Sequence, residues 1–205
     1  MKNIPKPCKE EVEKYLKLWD SLENYRLQED ALNSLFFDIY PNNDDINGIL
    51  LKCSTLNDFY STNIFSIFPV AKHILKLNID NRLKKHDTSL VDDIANVKIG
   101  DKDKYFYSFA TKYCSHHFPC EYPIYDYYVE RVLIYFKKKD NFYNFRLNDL
   151  KKYDKFKKIL ISFKKYYGID NYSLKDIDRY LWQLGKEFFP KKYKKTYNEK
   201  EKIKD

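Results

Sequence analysis

The sequence predicts an all-α protein of about ten helices, arranged as one body or as two lobes around a cleft. Three observations predict it. Apolar residues recur at helical three- and four-residue spacing through most of the chain. Period-2 alternation never runs beyond a few residues. Pro41, Gly168 and Pro190 fall where periodic segments stop. The 205 residues, 43% of them hydrophobic, suffice for a sizeable core, and 20 Tyr and 15 Phe supply apolar mass that four Gly and one Met do not. This composition excludes collagen-like, low-complexity and broadly disordered chains.

Taken in order, Val12, Tyr15, Leu16, Trp19 and Leu22 mark a first helix, and Leu32, Leu35, Phe36 and Ile39 a second, which Pro41 stops. Residues 42–45 are a polar loop. Residues 46–59 and 64–77 predict two helices with a polar insertion of Asn57, Tyr60, Ser61, Thr62 and Asn63 between them. Ser61 or Asn63 is expected to cap the second of these helices; contact with a base edge or a phosphate is the alternative. Residues 89–95 form a short helical turn. Residues 102–117 predict a helix with its stripe at Phe106, Phe109, Ala110 and Tyr113, ended by residues 118–123. Pro123 is expected in the first turn of the next helix, which buries Tyr125, Tyr128, Val129, Val132, Leu133 and Phe136. Lys137, Lys138 and Lys139 complement its dipole. Phe156, Ile159, Leu160, Phe163 and Tyr167 mark a further helix closed by Gly168. Ser173 caps the last one, with Asp176 three positions on and Leu174, Ile177, Leu181, Leu184 and Phe188 buried. Residues 1–190 are thus expected to form a single helical domain, or two intimately packed lobes, and residues 191–205 a charged, mobile tail.

Charge is distributed unevenly. The net charge is +8, but residues 131–205 hold 22 basic and 10 acidic side chains, a net +12, against −4 for residues 1–130. A basic surface rich in Tyr and Phe suits a polyanion whose bases stack on aromatics, so DNA or RNA is the expected partner. The bland reading is a Lys-, Asn- and Tyr-rich composition inherited from a low-GC genome. The start MKNIPKPCKEE has no apolar core of a secretory signal, and no apolar run reaches the ~20 residues that span a bilayer. A soluble cytoplasmic protein with no membrane partner is expected. Four scattered cysteines imply no disulfide framework.

The segment FYSFATKYCSHHFPCEYPIYDYYV, residues 106–129, carries more chemistry than an ordinary helical pair needs. Lys112 lies off the apolar stripe of its helix, on the face of Ser108 and then Ser115 or His116, and Asp126 lies off the buried face of the next helix. A tight proline-bounded connection lets these two residues, 14 apart in sequence, face one space. A lysine beside an aromatic-lined cavity has its amine freed by desolvation for nucleophilic attack or Schiff-base formation, and a carboxylate there shuttles a proton or stabilises a developing cation. A salt bridge between helices, or two solvated charges, is the structural alternative. Cys114, His116, His117 and Cys120 invite a zinc reading, but their spacing lacks the C-x2-C knuckle. Burial of both cysteines is expected instead, with a histidine lining a pocket or meeting a phosphate, and no metal or other cofactor.

FATK at 109–112 and PIYDYYV at 123–129 resemble the helix-hairpin-helix superfamily of base-excision DNA glycosylases, especially its 8-oxoguanine glycosylase/lyase branches. In that superfamily a Lys occupies the helix after the hairpin and an Asp follows a Pro. The resemblance implies that Lys112 attacks the sugar C1′ of an extruded nucleotide, while Asp126 activates the amine and stabilises the oxocarbenium-like charge. The glycine-containing hairpin of the superfamily is absent, since residues 108–111 hold no glycine and Gly100 lies upstream. No four-Cys cluster signature follows at the C-terminus, so no iron–sulfur centre is expected.

Tyr107, Ser108, Thr111, His116, His117, Tyr128, Trp182 and Lys186 are the candidate substrate- and DNA-binding residues. In the last helix Lys175, Asp178, Trp182 and Lys186 lie along one face beside the Leu181 and Leu184 stripe, and Trp182 reads either as core or as a stacking surface for a flipped base. The expected function is a monomeric DNA glycosylase and AP lyase acting on damaged or modified duplex. The alternatives are a non-enzymatic helical module that binds nucleic acid and a helical interaction protein.

Overall fold

The computed structural model describes residues 3–191. Among them the chain is all-α apart from one short hairpin. The helices are α1 (Lys9–Ser21), α2 (Glu23–Asn33), α3 (Ile46–Phe59), α4 (Ile67–Leu77), α5 (Asp80–Lys84), α6 (Leu90–Ala95), α7 (Tyr107–His117), α8 (Tyr127–Asp140), α9 (Tyr153–Tyr167) and α10 (Leu174–Phe188). A π-helical turn (Ser34–Ile39) extends α2, and a 3-10 turn (Leu147–Lys151) precedes α9. The expected charged tail lies, past Lys191, outside the described residues.

The hairpin corrects one expectation. Strands β1 (Asn96–Ile99) and β2 (Lys102–Tyr105) pair antiparallel, with Asn96 opposite Tyr105 and Ile99 opposite Lys102. Gly100 turns the chain at φ +59°. Residues 102–105 are therefore strand, and helix begins only at Tyr107. All four residues of β2 are exposed, so no apolar alternation announces it. Two other boundaries move. The fourth helix starts at Ile67, not at residue 64, and Ser61 and Asn63 cap nothing: both adopt left-handed backbone, φ 48° and 58°. Asn57 ties that turn down, accepting from Thr62 Oγ1 and Ile64 N and donating to the Ile64 carbonyl. Pro123 precedes α8 by several residues, and Asp126, expected in its first turn, is its N-cap.

One connected apolar cluster runs through the molecule, and α7 is its axis. Ten of the eleven residues of α7 are buried. It packs against α6, α3 and the π-helical turn, while α10 packs across α8 and α1. A helix enclosed on every side must give its polar residues internal partners. On one side it does so through Asn43. The Asn43 side chain accepts from Tyr113 Oη at 2.6 Å and from Lys52 Nζ at 2.9 Å, bonds His117 Nε2 at 3.2 Å and donates to Asp80. Burial pulls the Lys52 ammonium down to about 8. Cys114 is buried, whereas Cys120, expected to be buried with it, is exposed.

Candidate active site

On its other side α7 forms the wall of a cavity of about 420 Å³. Lys112 lines it with its side chain only 3% exposed. Its Nζ donates to Ser108 Oγ at 2.6 Å and to the carbonyls of Ser108 and Tyr125 at 3.3 and 3.4 Å. These acceptors are neutral, so the ammonium is solvated by dipoles instead of a bound carboxylate. Burial lowers its pKa, while the charges of Asp126 and Asp178 oppose that and Lys191 adds to it.

Asp126 reaches the same wall because α7 is stitched to the extended segment before α8. Thr111 Oγ1 donates to the Ser108 carbonyl and accepts from Tyr125 N at 3.1 Å, and Ser108 Oγ donates to the Tyr125 carbonyl. This fixes the backbone entering Asp126, whose carboxylate accepts from Tyr128 N at 2.7 Å as the N-cap of α8. Ser108 and Thr111 thus act as scaffold behind the wall.

The opposite wall comes from both ends of the chain. Trp182 on α10 meets Tyr25 and Trp19 edge-on, with ring centroids 5.0 and 5.9 Å away, and Tyr128 at 6.5 Å. Lys186 Nζ lies 4.3 Å from the Trp182 ring centroid and donates to Tyr25 Oη. Glu29 binds Lys175 at 2.7 Å and Arg179 at 2.6 Å. Burial raises the Glu29 pKa, but these two cations outweigh it and the net shift is downward. At Asp178 the nearby cations do not outweigh burial. Burial pushes its carboxyl up to about 7, Lys175 and Lys112 pull it down, and Asp126 and Glu29 push it further up. The cavity therefore holds one lysine whose ammonium is disfavoured and one carboxyl that carries a proton near neutrality.

Of the residues singled out from the sequence, Lys112, Asp126, Tyr128, Trp182 and Lys186 converge on this cavity, together with Tyr60 and Ser61 of the polar insertion and Lys175 and Asp178 of the last helix. His116 stands one layer behind, 4% exposed and bonded to Tyr60. Tyr107 and His117 do not reach the cavity. Tyr107 donates to the Leu150 carbonyl in the core, and His117 belongs to the Asn43 network. Sequence reasoning names Tyr60 only within the polar insertion and Asp178 only on the Trp182 face of the last helix, with no chemical role for either, and misses Glu29. Asp178 lies one helical turn before Trp182 on α10, the spacing that places both on one face. Trp19, Tyr25 and Glu29 gave no local signal. Among the described residues no group of three or more His, Cys, Asp or Glu is arranged to hold a metal ion, and no helix is long and apolar enough to cross a membrane.

A protein of Haemophilus influenzae, described as uncharacterized, is 54% identical to this chain over 147 residues, 71% of this chain and 70% of that protein. No solved structure matches. Residues 11–121, a stretch that includes Tyr60 and Lys112, match the family described as HI_0787_N, N-terminal domain, and the chain belongs to that family.

Proposed function

We propose that the protein is a DNA base-excision glycosylase with AP-lyase activity, acting in the cytoplasm as a monomer on duplex that carries a damaged or modified base. The observation that carries this reading is a buried, dipole-solvated lysine sharing the wall of an aromatic cavity with Asp126, beside the cationic Lys186 and Lys191. A cavity of about 420 Å³ lies within the range of ~300–1,000 Å³ usual for small-ligand sites. An extruded nucleotide brings its base against Trp182 and its sugar towards Lys112. Neutral Nζ forms a bond to C1′ as the glycosidic bond breaks. The base leaves with the bonding pair and takes a proton, which Asp178 holds. Asp126 faces the positive charge that develops on the sugar. Proton loss from nitrogen and opening of the sugar ring then give a cationic imine; loss of a C2′ proton lets the C–H pair form a C2′=C3′ bond as the 3′ phosphate leaves with its bonding pair.

Borohydride trapping tests this. Wild-type protein incubated with duplex containing 8-oxoguanine or an abasic site is expected to yield a covalent protein–DNA adduct, and Lys112→Ala to yield on the order of 10³-fold less. Absence of an adduct with the wild type on both substrates, or equal trapping by the variant, defeats the lyase mechanism. Salt-sensitive binding of plain duplex without any adduct would favour the non-enzymatic nucleic-acid module instead.

A further inference from the structure

Among the described residues, Tyr60 is the aromatic side chain of the cavity whose ring lies over Lys112. Its centroid lies 5.2 Å from Lys112 Nζ, and its hydroxyl bonds His116 Nε2 at 2.9 Å. His116 sits one turn beyond Lys112 on α7, so the helix presents the amine and the anchor of the ring together. The His116 ring is packed against Phe36 at 5.4 Å, which holds it in place from behind. On the other side, Tyr60 caps α3 and leads directly into the left-handed Ser61. Non-glycine residues in that conformation are strained and persist where the surroundings over-determine them, as the Asn57 bonds to Thr62 and Ile64 do here. Backbone and hydroxyl are thus both clamped.

On the reading that Lys112 is the nucleophile, we propose that Tyr60 is a catalytic residue whose ring face stabilises the cationic imine formed on Lys112 Nζ, and that His116 is the positioning residue that aims that face. The charge arises on nitrogen. Nζ, as the free amine, bonds C1′ as the base, or at an abasic site the C1′ hydroxyl as water, departs with its bonding pair. The nitrogen sheds a proton, and its lone pair then forms a positively charged C1′=Nζ bond as the ring oxygen leaves C1′ with its bonding pair and takes a proton. Beside an amine that is only 3% exposed, a π face meets that charge without needing to reorganise. Burial holds His116 well below its ordinary pKa and the Tyr60 hydroxyl well above its own. The hydroxyl therefore donates and the neutral imidazole accepts. The other charged groups acting on Lys112 are Asp126 from the start of α8, Asp178 from α10, and Lys191.

The experiment follows trapping rate against pH on duplex with a pre-formed abasic site, so that base departure does not enter. Replacing Tyr60 by Phe is expected to slow trapping a few-fold, and Tyr60→Leu by about 30-fold, the factor a desolvated cation–π contact is worth. The acidic limb should move to lower pH in Tyr60→Leu, because the ammonium loses the same face. Phenylalanines carrying one, two and three ring fluorines at position 60 keep the shape and drain the π face; a stepwise fall in rate is expected. His116→Gln should slow the wild type yet add nothing in the Tyr60→Phe background. Fluorination without effect on the rate, or a His116→Gln loss that persists undiminished in Tyr60→Phe, overturns the proposal while wild-type trapping through Lys112 leaves the glycosylase reading standing. A wild type that forms no adduct fails that reading itself.

Discussion

Lys112 and Asp178 titrate against their usual habits, and the two departures oppose each other in stability. Asp178 has a folded pKa of about 7 against an ordinary 3.8. Between those values the folded state keeps a proton that the unfolded chain has released, so its contribution to stability falls as pH rises from about 4 to 7 and is level above. Lys112 is lowered from 10.5, so the folded state holds fewer protons there and this contribution rises with pH until the unfolded lysine has also titrated. Asp178→Asn should remove the first effect. Thermal melting at pH 4.5 and 7.5 is expected to show wild-type stability falling between the two relative to the variant; parallel curves would mean that Asp178 is ionised in the folded protein throughout. If its proton goes to the departing base, the variant should excise a damaged base at least ~10²-fold more slowly yet trap a pre-formed abasic site at near the wild-type rate. Equal losses on both substrates would assign Asp178 a structural part instead.

The position of Asp178 and Trp182 depends on how closely α10 lies on α8. At the crossing stands Gly185, where an added Cβ would fall 2.5 Å from Tyr128 Cβ and 2.8 Å from the Tyr128 carbonyl oxygen. The obstacle includes backbone, so the helices must part. Gly185→Ala is expected to cost about 1–3 kcal/mol in melting experiments and to slow trapping beyond what the lost folded fraction explains, since Tyr128 and Trp182 both line the cavity. Unaltered melting would show that α10 can shift freely. The long helices were legible because each carries an apolar stripe with a recognisable end, such as Gly168, or a cap such as Ser173 with Asp176. The hairpin was not, because four exposed residues have no inward face to alternate. Pro123 is no guide to the start of α8, because the chain stays extended past it; the extended backbone of Asp126 and its bond to Tyr128 N mark the true N-cap.

Across the whole molecule, the half of the site carried by α7 and the start of α8 was legible because its residues lie within one turn or one short connection of each other. Of the other half, the α10 residues share one helix face, but the residues they meet from α1 and α2 were not legible. Glu29 meets Arg179 across 150 residues, and Trp19 meets Trp182 by the packing of α1 on α10. No local pattern encodes such pairings. The basic excess of the last third of the chain does return to the cavity, through Lys175, Arg179, Lys186 and Lys191, but these cations differ in what they can offer a phosphate. Lys175 and Arg179 share Glu29, which offsets part of their charge. Among the described residues, Lys186 is held by the Tyr25 hydroxyl and the faces of Tyr25 and Trp182, neutral partners that leave its charge uncompensated there. For duplex binding measured over a salt series, Lys186→Ala should therefore lower the log–log slope by about one unit, one phosphate contact fewer. Lys175→Ala should change it less, because Arg179 remains to balance Glu29. A slope unmoved by Lys186→Ala would place the DNA backbone away from this rim, and the stacked lysine would then serve only to hold Trp182 against Tyr25.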